Sequence, residues 1–474
     1  MTGAHPAVAS DARSPAGSAV RVLFVARSIA HFSYYDSVLA SLLGRGAQVE
    51  IAFDSGWSKK WRRTDMRAVD EFKRDHPELA TSWSVRRSDE HRDRIFALRE
   101  LRAYRSYLTR RETTPYYIER WRGYLQEPWK SRSEKAVFRA LLASPLGALA
   151  LQIAEASTPP DPGVVEFIRS RAPDVMVVSP LNLRFSEETD YVKAARALGV
   201  PTAMPVVSWD NLSTKSLIQI PPDRLFAWNE HHLKDAMVIH GIPREKIEVA
   251  GSPFFDKWFG PESEIPDRET FCRQVGLDPS RRILLYLGSS RNIAANEVWF
   301  VEKLRRFLGA SQNEQLRGCQ LLIRPHPANA AIYQELSGEG LSVFPKEGEL
   351  PETREGFAQM RASFRHAGAA LGINTSGMVD SVLADLPTFS VRLPRYAQTQ
   401  AEAKHFRYLE ADDALYVSDD LTGLCETLIR LFGGEDPKAE NRKAFARKFA
   451  RPRGLERPAG DVIAESLLAM ARRR

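Results

Sequence analysis

The sequence predicts an α/β protein of two parallel-sheet domains that face each other across a cleft, with a basic helical insertion in the first domain. At 474 residues the chain is long enough for two domains of roughly 200 residues each. Short β-branched apolar runs alternate with helical patterns through two separate stretches of the chain. A stretch rich in proline and acidic residues, at 260–268, lies between these two stretches.

The first alternating stretch predicts a domain at residues 20–255, preceded by a disordered tail at 1–19. The run at 20–26 is continuously apolar and β-branched, as a buried parallel strand requires. A helix at 38–43 and a strand at 48–53 complete a βαβ opening. Beyond the insertion the pattern predicts strands at 174–179, 202–208, 224–228 and 247–250, and helices at 187–198 and 231–240.

The second alternating stretch predicts a domain at residues 265–450 and a C-terminal helix within 451–474. Its predicted strands are 282–287, 320–323, 341–344, 369–373 and 388–391, and its helices 297–308, 353–366, 377–386 and 420–432. Two halves that repeat strand and helix imply parallel sheets with right-handed crossovers, so both domains are Rossmann-like. Ligands of such sheets bind outside the carboxyl ends of the strands, so the loops that follow the strands are the expected sites.

The predicted insertion, residues 57–155, carries the positive charge of the protein. Between positions 59 and 139 there are 22 lysines and arginines against 13 acidic residues, and aromatic residues are interspersed among them. One interpretation is a solvated helical surface with aromatic anchors. The others are contact with an anionic membrane surface or with an acidic acceptor. Nucleic acid is not expected as a partner, because no nucleic-acid-binding motif accompanies the charge.

Location is predicted from the cysteines and the apolar segments. Cys272, Cys319 and Cys425 are far apart and the first residues lack the apolar region of a secretory signal, which favours the cytoplasm. The apolar stretch at 140–154 is shorter than the roughly 20 residues that span a bilayer. We expect it to lie in the core, with the membrane interface as the alternative, which would place the protein on the inner face of the plasma membrane.

The most informative loop follows the predicted strand at 369–373. Asn374, Thr375 and Ser376 are residue types that cap helix N-termini, and the predicted helix after them directs its free amides toward the loop. Asp380, one turn into that helix, is placed to accept hydrogen bonds from sugar hydroxyls. This arrangement suits a diphosphate, and the alternative is an ordinary capped helix.

Two further loops belong to the same predicted edge. Pro325 and Pro327 hold His326 in a stiff loop that also presents Arg324, and a rigid histidine suits a phosphate oxygen. Ser289 and Ser290 follow the first strand of the second domain and offer hydroxyl groups. The alternative interpretation of both loops is a turn on the surface of the protein.

The order Gly-Ser-Ser, then Arg-Pro-His-Pro, then Asn-Thr-Ser-x-x-x-Asp resembles the C-terminal domain of GT-B glycosyltransferases. The resemblance is strongest to bacterial capsule transferases of the Kdo and sialyl type and to CDP-polyol glycerophosphotransferases, and it covers residues 173–394. It implies that His326, Thr375 and Ser376 contact the phosphates of a nucleotide-sugar donor and that Asp380 contacts sugar hydroxyls. Ser289, Ser290, Arg324 and Asn374 are the other predicted donor-binding residues.

The sequence departs from this family in ways that affect the chemistry. The glutamate usual in the donor-binding helix is replaced by Asp380-Ser381, and no D-x-D metal-binding motif occurs. The resemblance therefore implies a metal-independent enzyme with no cofactor beyond the nucleotide-sugar co-substrate. Helix dipoles and basic side chains would neutralise the leaving diphosphate.

The N-terminal domain is expected to bind the acceptor. His31 follows the first strand, where several inverting GT-B enzymes keep a general base, and Asp36 is a candidate for orienting it. Asp210 is the second candidate catalytic residue. Trp209, as a platform for sugar stacking, and Asn211 are the predicted acceptor-binding residues, and the alternative for this loop is an Asx-type turn.

The predicted function is transfer of a sugar from a nucleotide-sugar donor to a surface polysaccharide, a glycoconjugate or a lipid-linked acceptor. Three alternatives remain open: a CDP-polyol phosphotransferase, a non-hydrolysing sugar-nucleotide epimerase, and a non-catalytic scaffold that binds polysaccharide or membrane. An epimerase is expected to hold additional carboxylates in the cleft and has no need of a basic, aromatic-rich insertion.

Overall fold

The computed structural model describes residues 19–60, 65–260 and 265–473, so the expected tail lies outside the described residues except for Ala19. Seven parallel strands in this part of the chain form the N-terminal sheet, in the order β3-β2-β1-β4-β5-β6-β7. They are β1 (Arg21–Ala26), β2 (Gln48–Phe53), β3 (Ala80–Trp83), β4 (Val175–Ser179), β5 (Thr202–Pro205), β6 (Arg224–Ala227) and β7 (Ile247–Val249).

The helices of this half cover both faces of the sheet and build the insertion. They are α1 (Asp36–Gly44), α2 (Ser55–Lys60), α3 (Arg67–Asp75), α4 (Arg92–Thr109), α5 (Pro115–Gly123), α6 (Trp129–Arg132), α7 (Ala136–Ala143), α8 (Pro145–Ser157), α9 (Pro162–Arg171), α10 (Thr189–Ala197), α11 (Asn211–Thr214) and α12 (Glu230–Val238).

The described part of the second half contains six parallel strands in the order β10-β9-β8-β11-β12-β13. They are β8 (Ile283–Leu287), β9 (Gln320–Arg324), β10 (Leu341–Val343), β11 (Ala367–Gly372), β12 (Thr388–Val391) and β13 (Tyr416–Ser418). The helices are α13 (Arg268–Val275), α14 (Val298–Gly309), α15 (Glu314–Arg317), α16 (Arg354–Arg365), α17 (Gly377–Leu383), α18 (Lys404–Ala411), α19 (Leu421–Phe432), α20 (Ala439–Phe445) and α21 (Ala459–Ala471). The predicted fold class, two parallel-sheet α/β domains, is confirmed.

Two short strands were absent from the sequence prediction. The insertion is not wholly helical, because β3 lies within it and pairs with β2 in parallel from Glu50↔Ala80 to Phe53↔Trp83. Tyr416–Ser418 likewise adds β13 at the edge of the second sheet. Both are edge strands of three or four residues that are only partly buried, so they lack the continuous apolar run that identifies a central parallel strand.

Part of the basic charge of the insertion is used inside the protein. Arg99 on α4 is fully buried and forms hydrogen-bonded ion pairs with Glu155 on α8 (3.1 Å) and Asp190 on α10 (2.8 Å). Arg87, also buried, reaches the same Asp190 carboxylate at 3.0 Å. These arginines join the insertion to the N-terminal sheet and are not available to an external partner.

The C-terminal helix α21 returns to the N-terminal domain and packs on α1. Val462, Ile463 and Leu467 are buried in the same apolar cluster as the residues of β1 and α1. Asp256, after β7, accepts hydrogen bonds from the amides of Ala459 and Gly460 at 2.9 and 2.8 Å. The end of the chain therefore fastens the second half of the sequence to the first domain.

The apolar stretch at 140–154 lies mostly outside the core, contrary to expectation, and only Leu142 and Leu151 of its large apolar side chains are buried in it. It forms a bent helical pair, α7 and α8, on the surface of the insertion, and several of its large apolar side chains are exposed. Among the described residues no single helix is long and apolar enough to cross a membrane, whereas α7 and α8, bent by 69°, reach that length and apolarity together. The sequence pattern was misleading because apolar helices are usually buried.

Candidate functional site between the two sheets

The loops at the centre of the two sheets face each other. In each sheet the strand order reverses at its first strand, between β1 and β4 in one domain and between β8 and β11 in the other. The loops after these strands diverge at such a point and leave a crevice at the carboxyl edge of the sheet. The two crevices meet, and this cleft contains two adjoining cavities.

The larger cavity, about 370 Å³ and here called the outer cavity, is polar and is lined from both domains. The smaller one, about 160 Å³ and here called the inner cavity, is more apolar and contains Arg324 and Asp380. On the side of the second domain the two cavities share a wall formed by His326, Thr375 and Ser376, and residues of the first domain, Trp209 among them, also line both. Their volumes lie near and below the lower end of the range for small-molecule sites, roughly 300–1,000 Å³.

His326 is held rigidly in the shared wall. Its ring Nδ1 accepts a hydrogen bond from the amide of Ala328 at 3.1 Å, so the ring caps the turn that begins at Pro327. The neutral ring therefore carries its proton on Nε2. Gly288 lets the two loops approach, because a Cβ atom there would lie 3.1 Å from the His326 amide nitrogen. The stiff loop thus presents a ring N–H donor at the cleft.

The loop before α17 exposes hydroxyl and amide groups. Ser376 is the N-cap residue but makes no side-chain capping bond, and it is exposed at both cavities. The amides of Ser376 and Gly377 donate to no protein group among the described residues. Asn374 also lines the outer cavity, but it is buried and its Nδ2 donates to the Thr399 carbonyl at 2.6 Å. We conclude that Thr375 and Ser376 face the cleft, whereas the Asn374 amide mainly supports the loop.

Arg324 and Asp380 lie together in the inner cavity. Burial raises the pKa of Asp380 to about 7, although the Trp258 indole N–H donates to its Oδ1 at 2.8 Å and Lys257 and Arg324 oppose the shift. Burial also lowers the pKa of Arg324 to about 10, and the guanidinium donates to Ser363 Oγ at 2.9 Å. The inner cavity therefore holds a cation beside a carboxyl group that exchanges its proton near neutral pH.

Replacing Asp380 by asparagine is expected to stabilise the protein in a pH-dependent manner. The pKa of Asp380 is higher in the folded protein than in the unfolded chain, so its contribution to the free energy of unfolding falls as the pH rises from about 4 to 7. The asparagine side chain stays neutral and can still accept from Trp258. We expect the variant to gain on the order of 3 kcal/mol over the wild type at pH 8, and almost nothing near pH 4.

Urea unfolding at the two pH values measures this difference. Asp93→Asn is the control, because the Asp93 side chain is 91% exposed. Identical pH dependence of wild type and Asp380→Asn would contradict a buried, partly protonated Asp380.

His31 lies on the N-terminal wall of the outer cavity. It follows β1 in a short 3₁₀ turn, is 8% exposed, and its Nδ1 is 2.9 Å from the hydroxyl of Ser28. Asp36 was expected to orient this ring. In the structure the Asp36 carboxylate accepts a hydrogen bond from the Ser37 amide and faces Lys257, and burial raises its pKa to about 6. Ser28 is thus a group that can orient His31.

Asp210 is fixed by its neighbours. Its carboxylate accepts hydrogen bonds from Ser208 and Thr214 at 2.7 Å each and pairs with Lys215 at 2.9 Å. Burial alone would raise its pKa, but Lys215 and the nearby His405 hold the pKa far below the ordinary value. A carboxylate so stabilised is a weak base, and its place in the outer cavity makes it an electrostatic partner for Lys215.

Trp209 and Asn211, which flank Asp210 and were predicted to bind the acceptor, make mainly internal contacts. Trp209 borders both cavities but is only 5% exposed and packs edge-on against His405 at 4.7 Å between ring centroids, so it presents no open face for stacking. Asn211 is completely buried, and its Nδ2 donates to Asn182 at 2.8 Å.

The two serines after β8 differ in position. Ser289 lines neither cavity: it is buried, and its amide donates to Glu297 at 2.6 Å. Ser290, the next residue, does line the outer cavity.

Sequence reasoning missed the contribution of the insertion and of α18. Helix α5 spans the cleft, and Tyr116 bonds to the second domain through its hydroxyl, 2.6 Å from the Asn292 carbonyl. This brings Arg120 and Tyr117 into the outer cavity. His405 on α18 also lines the cavity, and its buried Nδ1 has no hydrogen-bond partner among the described residues. In the sequence, α5 is distinguished by its aromatic and basic composition. That composition indicated an external partner, but it did not indicate that the helix lies across the cleft.

The comparisons with known proteins define the fold. No protein-family profile matches the chain, and a search of curated proteins finds no significant match. Solved structures do match: UDP-GlcNAc 2-epimerase from Neisseria meningitidis bound to UDP-GlcNAc is 12% identical, with coverage of 95% of this chain and 100% of that chain and a TM-score of 0.54.

Two other solved structures match over a similar length. The Staphylococcus aureus MnaA–UDP co-structure is 10% identical, with coverage of 95% and 97% and a TM-score of 0.54. The glycotransferase of kitacinnamycin is 12% identical, with coverage of 95% and 99% and a TM-score of 0.51. At this level of identity the matches establish a GT-B fold and no more.

Proposed function

We propose that this chain transfers a sugar from a nucleoside diphosphate sugar to an acceptor hydroxyl, without a resident metal ion. The observation that carries the proposal is the pair of adjoining cavities that meet at His326, Thr375 and Ser376. One cavity offers a cation and a carboxyl group, and the other lies beside His31 and draws residues from both domains. Such a cleft provides one place for a nucleotide and another for the reacting sugar and its acceptor.

The proposed position of the nucleoside is the inner cavity. Asp380 and Arg324 there are suited to bind ribose and base oxygens, and Phe254 and Met360 add apolar surface. The diphosphate then reaches the shared wall, where the Nε2–H of His326 and the groups of Thr375 and Ser376 donate to its oxygens. UDP is the first nucleotide to test, because two of the matching structures carry UDP or a UDP-linked sugar.

Side chains from the N-terminal half supply positive charge and a hydrogen-bond donor for the leaving diphosphate. Arg120 on α5 and Lys215 after α11 both line the outer cavity. Arg120 forms no ion pair with a described carboxylate, and its Nε donates to the Tyr124 hydroxyl at 3.1 Å. Within the described ranges no three His, Cys, Asp or Glu side chains are grouped so as to hold a metal ion. Charge neutralisation is the role we assign to Arg120, whereas Lys215, which is paired with Asp210 at 2.9 Å, contributes a hydrogen-bond donor and no net charge.

His31 is the proposed general base. The proposed role requires the tautomer in which Nδ1 donates to the Ser28 hydroxyl, 2.9 Å away, because Nε2 then carries the lone pair that accepts the proton of the acceptor hydroxyl as it attacks the sugar. Asp210 is the weaker candidate, because its pKa lies far below the range of an effective base. A surface polysaccharide or a lipid-linked glycan is the class of acceptor that we propose.

A sugar-nucleotide epimerase is the second candidate function. The observation that favours it is Asp380, a carboxyl group with a pKa of about 7 in the cavity assigned to the nucleotide. Epimerisation at C2 requires removal and return of the C2 hydrogen, so an epimerase incubated with UDP-GlcNAc alone in D₂O introduces deuterium at C2. A transferase leaves C2 unlabelled and releases UDP only when an acceptor is present.

Thermal unfolding in the presence of nucleotides tests the proposal first. We expect one of UDP, GDP, CDP, CMP and dTDP, or their sugar conjugates, to raise the melting temperature through selective binding to the folded protein. A response to CDP-glycerol or CDP-ribitol would favour the polyol phosphotransferase. If no compound raises the melting temperature, the transferase and the epimerase proposals are both contradicted, and the non-catalytic scaffold remains.

Removing the donors of the shared wall is expected to weaken nucleotide binding. His326→Ala and Ser376→Ala each delete one hydrogen-bond donor to a phosphate, which costs roughly 1.5 kcal/mol and so raises the Kd about tenfold. Isothermal titration with the nucleotide identified above measures the change. His91→Ala and Ser337→Ala, both away from the cleft, are the matched controls. Unchanged affinity in both wall variants would refute this placement of the diphosphate.

A further inference from the structure

A larger cavity lies outside the cleft, against the insertion. It measures about 740 Å³ and is bordered by α4, α8, α12 and the segment at 217–221, and we call it the arginine cavity. Its lining shares no described residue with the outer or the inner cavity. The volume lies within the range for small-molecule sites, roughly 300–1,000 Å³. The arginine cavity is therefore large enough to hold a ligand of its own.

Positive charge dominates the lining of this cavity. Among the described residues, the lysine and arginine side chains that line it are Arg102, Arg105, Arg110, Arg111, Lys234 and Lys404. Glu112 is the carboxylate among the described lining residues. It pairs with Lys404 at 2.8 Å, and Lys404 also pairs with Asp235 at 2.8 Å. The charge of Lys404 is thus compensated, whereas the other basic side chains form no ion pair with a described carboxylate.

Neutral acceptors hold the guanidinium groups of Arg102 and Arg105, which lie three residues apart on one face of α4. Arg102 Nη1 donates to the Gln219 carbonyl at 3.1 Å. Arg105 Nη2 donates to the carbonyls of Ala143 and Ser144 at 3.1 and 3.3 Å. The remaining nitrogens of both groups donate to no described protein group. A backbone carbonyl fixes the direction of a guanidinium group, but it does not neutralise its charge.

Arg110, at the end of α4, is held in the same manner. Its Nε donates to Ser106 Oγ at 3.0 Å and its Nη1 to the Ser213 carbonyl at 2.8 Å. The guanidinium group lies over the ring of Tyr107, 4.0 Å from the ring centroid. Neutral groups thus orient three arginines of the cavity and leave their charge unpaired.

A neighbouring arginine shows the usual alternative, which is ion pairing. Arg99, on the same helix, pairs with Glu155 at 3.1 Å. Glu155 also lies near Arg102, but it is already shared between Arg99 and Lys193. Burial lowers the pKa of Arg102 and Arg105, because the charged form is costly where no carboxylate compensates it. An anion that enters the cavity would remove this cost.

The lining also indicates the kind of anion. Guanidinium groups donate in planar forks that fit the oxygens of phosphate, and several of them suit a group with more than one charge. Leu151 and Ile218 give the wall an apolar part, which suits the uncharged body of a small molecule. No described Phe, Tyr or Trp lines the cavity, so a nucleotide base would have no aromatic ring to stack on.

We propose that the arginine cavity binds a small phosphorylated molecule, with Arg102 and Arg105 as the side chains that contact its phosphate or diphosphate group. Arg110 adds positive charge at the end of α4, and Arg111 and Lys234 add it at the exposed rim of the cavity. This site is separate from the cleft, and binding to it requires neither the donor nor turnover. The inference is therefore independent of the proposed function.

Isothermal titration of the full chain with pyrophosphate and with glucose 1-phosphate tests the proposal. We expect saturable binding, and the stronger ligand shows whether the site takes a diphosphate or a monophosphate. Arg102→Gln and Arg105→Gln are each expected to raise the Kd about tenfold, because each removes a charged hydrogen-bond donor. Arg94→Gln is the matched control, since Arg94 is exposed on the same helix and does not line the cavity.

Lys234→Glu keeps the test valid if the arginine variants fail to fold. Lys234 is exposed at the rim of the cavity, so reversal of its charge should leave the melting temperature unchanged. We expect it to raise the Kd about threefold, a modest effect because solvent screens an exposed charge. Melting temperatures of all variants identify any that is unfolded.

Two results would overturn the proposal. The first is a wild type that binds neither compound. The second is binding that the arginine and lysine variants leave unchanged and that His326→Ala with Ser376→Ala abolishes, which would place the phosphate in the cleft alone. If pyrophosphate occupies both places, the arginine variants should remove one of two measured sites, which supports the proposal. Since these titrations omit nucleotide, they can fail without bearing on the transferase proposal, and the reverse also holds.

Discussion

His31→Ala is expected to reduce kcat by about 10²–10⁴-fold, the contribution usual for general base catalysis. The imidazole is the side chain proposed to accept the proton of the acceptor hydroxyl, and alanine leaves that proton to bulk water. The Kd for the donor nucleotide should remain unchanged, because His31 lies on the opposite wall of the outer cavity from His326 and Ser376. Initial rates at saturating donor and nucleotide titration measure the two quantities separately.

Ser28→Ala tests the same role by a smaller change. It removes the hydroxyl 2.9 Å from Nδ1 and leaves the ring in place, so we expect a smaller loss of kcat and a shifted pH–rate profile. His91→Ala, in the insertion and away from the cleft, is the control. A His31→Ala enzyme with full kcat would exclude His31 as the base.

Arg99→Met is expected to destabilise the protein by roughly 3–5 kcal/mol, the cost of removing one partner of a buried ion pair. The guanidinium contacts both oxygens of Asp190 and both oxygens of Glu155, at 2.8–3.1 Å. Burial would lower its pKa, but these two carboxylates hold the pKa above the ordinary value. Without Arg99, Arg87 and Lys193 remain as the cationic partners of two buried carboxylates.

Urea unfolding followed by circular dichroism measures the loss. Arg94→Met on the same helix is the matched control, because Arg94 is exposed and should tolerate the change within about 0.5 kcal/mol. A loss below about 1 kcal/mol for Arg99→Met would mean that the network does not tie the insertion to the N-terminal sheet.

The sequence predicted the central strands well because their chemistry is local. A fully buried parallel strand must be apolar along its whole length, and the runs that became β1, β4 and β8 are recognisable for that reason. The loops after these strands could then be predicted to meet at the carboxyl edges of the sheets. Ser290, His326, Thr375, Ser376, His31 and Asp210 do line one cavity, as this argument requires.

The roles of individual side chains in those loops were less predictable. Ser289 and Ser290 are identical in type and adjacent in sequence, yet one is buried and the other faces the cleft. Asn211 was expected to contact an acceptor; it lines the outer cavity, but it is fully buried and its Nδ2 donates to Asn182. Such outcomes depend on the direction of each side chain and on partners distant in the chain, which spacing in the sequence does not reveal.

By itself the sequence determined the alternation of strands and helices, the two parallel sheets and the loops at their carboxyl edges, because burial imposes a pattern on consecutive residues. Only the tertiary structure decided that α5 carries Arg120 across the cleft, that α7 and α8 are exposed, and that Asp210 is neutralised by Lys215. These features arise from the packing of segments distant in the chain. The free energies of these contacts and ion pairs depend on residues far apart in the chain, so a local sequence pattern does not predict them.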